Sequence, residues 1–175
     1  MRARFGIAVV ISALTIVAVA RHFGVSRALA SDDDNKAQIA ALEDRLTDAY
    51  TKMDVKAAMA FYVDDKETVS FEDTLPFQLK GLEALAKYNE GFFKNLKVTK
   101  FHPRLEAMSI VVSADLAAAH FILPIQWTDK NGSHFERGRG THIFKKIDGK
   151  WLIWHEHFSV PFDPATGKAV LDAKP

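Results

Sequence analysis

The chain has 175 residues, with 23 basic and 22 acidic side chains and no cysteine. That length fits one domain with its own core plus a leader. The near-neutral balance argues against a phosphate-backbone binder, and the absence of cysteine excludes a disulfide staple, a thiol nucleophile and a thiolate metal site.

Arg2 and Arg4 precede an apolar run over residues 5–20, and small-residue triplets fall at 18–20 and 28–30. Basic, apolar and small residues in that order are the layout of a secretory signal peptide, and the run is shorter than the ~20 residues a spanning helix needs. Arg21, His22 and Arg27 make an unusually basic cleavage region, so an uncleaved anchor is the alternative. Cleavage after Ala30 is expected, with a periplasmic or secreted body that meets a membrane only through this segment. Residues 1–30 hold four arginines and no acid, which leaves 19 basic and 22 acidic residues and no nucleic-acid partner.

The body spans residues 31–162. Asp32, Asp33, Asp34 and Asn35 place negative charge and a cap at a helix start, after which Ile39, Leu42, Leu46, Ala49, Tyr50 and Met53 recur at helical spacing. Asp54 caps a shorter helix carrying Val55, Ala58, Met59, Phe61 and Tyr62. Residues 67–72 read as a short strand, and Pro76 biases Leu75 toward loop. A third helix covers residues 81–94, with Leu82, Leu85 and Phe92 along one stripe. From residue 96 the period changes to strands, over 96–106, 108–127 with a break at 113–115, and the two arms of 134–161, with Asn131-Gly132 and Asp148-Gly149 as turns. Helices followed by a meandering sheet predict an α+β domain, three N-terminal helices packed on a curved antiparallel sheet. Residues 163–175 read as a loosely held tail.

In the last arm Trp151 and Ile153 lie on one face, with Leu152, Trp154 and Phe158 on the other. A strand covered on one side alternates apolar with polar, so this one expects cover on both: helices on one face and a second copy on the other, giving a homodimer.

This element order, with Asp148-Gly149-Lys150-Trp151 opening the final strand and the run from His155 through His157 and Ser159 to Pro161 closing it, resembles the NTF2-like superfamily, specifically its SnoaL-like and ketosteroid-isomerase-like group. It is similar also to the association domain of calcium/calmodulin-dependent kinase II. The resemblance covers residues 35–161 and implies a cone-shaped, cystatin-like roll. It is a poor guide to activity, since one scaffold hosts isomerases, cyclases, dehydratases, carriers and oligomerisation modules. Carried over residue by residue, the oxyanion-donating Tyr of the isomerases falls on Leu46. Their base falls on Phe71, with Asp73 two residues on and on the same strand face, and their second donor falls near His142. Steroid isomerisation by that mechanism is not implied, while a base-plus-donor pair of Asp73 and His142 stays open. The three pocket arginines of the kinase domain match Leu123, His142 and Phe158, so no anionic ligand is implied.

Two hairpin registers are open. A two-residue Asp148-Gly149 loop puts His142 opposite His155 and gathers His142, His155 and His157 on one face, a cluster with metal-ligand composition. A three-residue loop with Gly149 left-handed pairs Lys146 with Lys150, puts His142 opposite Trp154 and near Glu156, and turns His155 and His157 away. The resemblance favours the second, in which His142, Glu156, Trp154 and Phe158 line a pocket where the Glu156 carboxylate beside the His142 imidazole can trade protons with a ligand. The bland alternative is that Glu156 pairs with His142 or Arg139 to satisfy a buried charge. His155 and His157 read as interface or hydrogen-bonded core residues, and Arg137 and Arg139 as charges guarding an edge strand. No Gly-rich phosphate loop, Ser-His-Asp order or HExxH motif occurs, so no cofactor and no metal are expected. The expected ligand is small and apolar or aromatic, in a pocket of Leu46, Leu123, Trp154 and Phe158. The expected chemistry is of lyase or isomerase type, using His142 with Glu156 or Asp73. A non-catalytic ligand binder and an oligomerisation module are the alternatives.

Overall fold

A computed structural model describes residues 31–175. The leader read over residues 1–30 lies outside the described residues. Helix α1 (Asp32–Thr51) opens on a reciprocal cap: Ser31 Oγ accepts from the Asp34 N–H at 3.1 Å, and the Asp34 carboxylate accepts from the Ser31 N–H at 3.2 Å. The cap is therefore Ser31, and the acids fill the first turn, where the helix dipole favours them. Helix α2 (Val55–Met59) starts at Asp54, whose carboxylate accepts from the Ala57 N–H at 2.9 Å. Helix α3 (Leu82–Leu96) buries Leu85.

The strands are β1 (Val69–Phe71), β2 (Leu79–Lys80), β3 (Lys100–Pro103), β4 (Glu106–Ser113), β5 (Leu116–Asp129), β6 (Gly132–Ile147) and β7 (Lys150–Ser159). They form one sheet in the order β2-β1-β7-β6-β5-β3, with β4 also paired to β5. The sheet is mixed, which corrects the antiparallel expectation: β1 runs parallel to β7, with Ser70 opposite Glu156. The direction is set upstream, where Tyr62 already bridges Ile153 in the parallel sense and the Val63 N–H donates to the Ile153 carbonyl at 2.8 Å. The chain leaving α2 thus arrives along β7 rather than against it. Strand β6 lies between β5 and β7, so Arg137 and Arg139 do not guard a sheet edge.

The hairpin turn is the two-residue loop: Ile147 pairs with Lys150, and Asp148 and Gly149 have φ of 50° and 79°. Neither expected register follows, because a bulge intervenes. Phe144 pairs with Ile153 but Ile143 pairs with His155, which leaves Trp154 as the extra residue. Beyond it His142 stands opposite Glu156 and Gly140 opposite Phe158, and directly opposed residues share a face. The tail is also tied down at its start. Strands β8 (Phe162–Asp163) and β9 (Lys168–Ala169) pair around a turn in which Asp163 accepts from the Ala165 N–H, and the Arg137 N–H donates to the Leu171 carbonyl at 2.7 Å.

The core lies between helices and sheet. Ile39, Leu42 and Leu46 of α1 and Ala58 of α2 pack with Phe144, Trp151 and Ile153. At 0 % exposure Phe144 is the largest fully buried side chain. Past this core, toward the Ser159 end of β7, a hollow lies between helices and sheet.

Candidate functional site

Alternation along β6 sends Glu136, Gly138, Gly140 and His142 to one face. A Cβ at Gly140 would stand 2.2 Å from the Phe121 ring. Glycine there lets that ring cross the strand and meet the His142 imidazole edge-on, centroids 4.9 Å apart. Phe158 approaches the imidazole at 5.6 Å. His142 so projects into an apolar cavity of about 360 Å³ that opens between α1, α3 and the sheet.

His142 is 2 % exposed. Its Nδ1 lies 2.6 Å from Glu43 Oε1 on α1, and its Nε2 lies 3.5 Å from Glu156 Oε2, without a hydrogen-bond partner. Burial pulls the imidazole pKa down, but the Glu43 carboxylate at hydrogen-bond distance, helped by Glu156 and Glu72, outweighs it and leaves the pKa raised. The imidazolium is favoured, with Nδ1–H donating to Glu43. Glu156 is equally buried and accepts from the Tyr62 hydroxyl at 2.6 Å. That commits the one Tyr62 proton, and the Tyr50 ring stands beside it. Burial pushes Glu156 up, against the pull of His142 and Tyr62, and the net direction is upward. Ser70 links Glu156 to Glu72, since its hydroxyl contacts both carboxyls and donates to Glu72. Burial first, and the Glu156 charge second, push Glu72 to about 8. A second acidic wall brings Asp73 and Glu136 together. Burial first, and the neighbouring Asp73 carboxyl second, push Glu136 to about 8.

His142, Glu156, Asp73, Leu46, Leu123 and Phe158 all line this one cavity. Trp154 does not: as the bulge residue it faces the opposite side of the sheet, where Lys145 Nζ stands 3.4 Å over its ring. Phe71 and Asp73 do not share a face either. The strand ends at Phe71, whose ring packs on His155 and His157 at 5.1 and 5.8 Å, and the turn that follows aims Asp73 inward. Arg139 is exposed and does not meet Glu156. His155 Nδ1–H donates to the Val69 carbonyl at 2.8 Å, away from His142, so the three-histidine cluster does not form. Among the described residues no group of three His, Asp or Glu is placed to hold a metal.

Sequence reasoning missed Glu43, Tyr62, Glu72 and Glu136 as members of the site. The three acids carried a signal. Glu43 occupies the i+4 position from Ile39 on the buried stripe of α1, where an acid needs a partner. Glu72 alternates with Ser70, and Glu136 with His142, on inward strand faces.

Three helices against a mixed sheet, with a hollow between them, fit the NTF2-like class. The SnoaL-like domain family matches residues 39–163, and the chain belongs to that family. An NTF2-like protein of unknown function from Pseudomonas putida is similar, with 26 % identity and a TM-score of 0.74 over 83 % of this chain and 100 % of that one. A candidate dehydratase from Streptomyces avermitilis shares the fold at 14 % identity and TM-score 0.66, over 76 % of this chain and 100 % of that one. So does the association domain of the Caenorhabditis elegans calcium/calmodulin-dependent kinase II, at 21 % identity and TM-score 0.58, over 73 % and 97 %. No curated protein matches the chain.

Proposed function

We propose that the chain is a proton-transfer enzyme of lyase or isomerase type, acting on a small apolar molecule that carries a carbonyl group. One observation carries this reading: a buried imidazole, bound to Glu43 through Nδ1, offers inside an apolar hollow an Nε2 that has no hydrogen-bond partner among the described residues. Nε2–H donates to the carbonyl oxygen and stabilises negative charge that develops there. Glu72, as the carboxylate, takes the proton from the adjacent carbon; the C–H electron pair moves into the enolate. Return of the proton at a different carbon gives an isomer, and loss of a neighbouring hydroxyl as water gives a dehydration product. Glu156, held by Tyr62 and 3.5 Å from Nε2, positions the ring. Asp73, beside Glu136 in the same cavity, takes no step in this reaction. The fold likeness to the S. avermitilis candidate dehydratase is compatible with this reaction class.

The test is deuterium uptake from heavy water into a panel of cyclic ketones, followed by mass spectrometry. Uptake is expected, reduced on the order of 10²-fold or more in His142→Gln and in Glu72→Gln. It rises as pH approaches about 8, where Glu72 becomes a carboxylate. Absence of uptake, or uptake indifferent to His142→Gln, contradicts the reading. The leader over residues 1–30 supports export, and the outward Leu152 and Trp154 support a homodimer through the outer sheet face, an expectation that light scattering in solution decides.

A further inference from the structure

We infer that the ligand of this cavity is a cation, a small aromatic or apolar molecule whose ammonium group is held between Asp73 and Glu136, at the end of the hollow away from His142. The inference rests on the cavity being the functional site, and it adds the charge of the molecule that enters.

Composition of the walls is the first ground. Among the described residues five carboxyl side chains, Glu43, Glu72, Asp73, Glu136 and Glu156, line the hollow against a single basic one, His142, and neither lysine nor arginine joins them. The nearest arginine in sequence, Arg137, lies on the opposite face of β6 from Glu136, its guanidinium 5.4 Å over the Phe135 ring. His142 and Glu43 engage one another, and Tyr62 and Ser70 hold Glu156. Asp73 and Glu136 neighbour each other in the same cavity, and no hydroxyl or basic side chain among the described residues is hydrogen-bonded to either. An ammonium placed between them would make charge-assisted hydrogen bonds to both.

The surroundings of this pair are the second ground. Ile125 pairs with Glu136, and two residues further along β5 Trp127 enters the same cavity. The rings of Phe92, Phe101 and Trp127 form one cluster, with Phe92 5.9 Å from Phe101 and 6.3 Å from Trp127. Aromatic rings in the same cavity as a carboxylate pair favour a cation over a neutral group. The third ground is the far end. The His142 Nε2, 3.5 Å from Glu156 and without a hydrogen-bond partner among the described residues, is a donor facing the same space on a residue that is 2 % exposed. His142 and Glu136 stand six residues apart on one face of β6, about 20 Å along the strand. A ligand that satisfies both ends has an oxygen acceptor, an apolar middle and an ammonium group.

The experiment measures binding of three probes of matched shape, phenylbutylamine, phenylbutanol and phenylbutyrate, by calorimetry on the intact protein near neutral pH. The amine is expected to bind at least ~10-fold more tightly than the alcohol, as one charge-assisted hydrogen bond implies, and the carboxylate most weakly. In the Asp73→Asn/Glu136→Gln double variant that preference falls to within ~2-fold while alcohol affinity is retained. Both substitutions keep side-chain shape at partly exposed positions, and the single Glu136→Gln variant gives the same direction. Alcohol or carboxylate binding as tight as the amine overturns the inference, as does an amine preference that survives the double variant. Failure of all three probes to bind overturns it together with the cavity reading. An amine preference without deuterium uptake by any ketone leaves the inference standing and removes the proposed reaction.

Discussion

Gly140 is the residue on which the shape of the hollow turns, because the Phe121 ring occupies the space a side chain would need. Gly140→Ala is expected to cost about 1–3 kcal/mol by overpacking, read from chemical denaturation, and to displace Phe121 from the imidazole. A melting profile equal to that of the native protein contradicts this. Glu43 is the other decisive position. Glu43→Gln keeps a hydrogen-bonding partner for His142 but removes the charge, so the His142 pKa falls and burial dominates it. His142 itself was visible in the sequence as an ionisable residue in an apolar strand. Glu43 was passed over because an acid in an amphipathic helix is ordinarily read as solvated, although its spacing from Ile39 places it on the buried face.

Among the elements, the β6–β7 hairpin decides what the site contains. The turn is set by local chemistry: both central residues take positive φ, which Asp-Gly supplies, and Gly149→Val is expected to cost about 1–2 kcal/mol for forcing a branched residue into that region. Stability unchanged in that variant contradicts the turn geometry. Asp148-Gly149 was therefore legible. The bulge at Trp154 was not, since nothing local marks it: it exists because Trp151 and Ile153 must face the helices while Glu156 and Phe158 must face the hollow, an odd spacing that a regular strand cannot provide. The parallel docking of β1 was equally hidden, because it depends on contacts between residues far apart in the chain, such as Tyr62 with Ile153. Helix stripes and long strands were readable from period alone, and the α+β architecture with them.

For the whole molecule, an acidic hollow has a thermodynamic signature. Glu72 and Glu136 are raised from 4.5 to about 8, so they bind protons more tightly in the folded chain. The stability this gives is full below the unfolded value and is lost as pH climbs toward 8. His142, raised above 6.5, acts in the same direction, with its contribution lost as pH rises through the folded value. Asp129, lowered by its hydrogen bond to His134, works oppositely and only at acid pH. The melting temperature is therefore expected to be higher at about pH 5.5 than at about pH 8.5, the reverse of a domain held by surface carboxylate pairs. A melting temperature that rises across that interval contradicts the assignment of buried, protonated carboxyls.

Central to all of this is the state of one ring. Nitrogen-15 NMR of the imidazoles, recorded across pH on the native protein and on Glu43→Gln, reports it directly. His142 is predicted to stay protonated on both nitrogens above the ordinary histidine pKa of 6.5, and to lose that excess when the Glu43 charge is removed. A His142 ring that is neutral below that value, or one indifferent to the Glu43 substitution, contradicts the account.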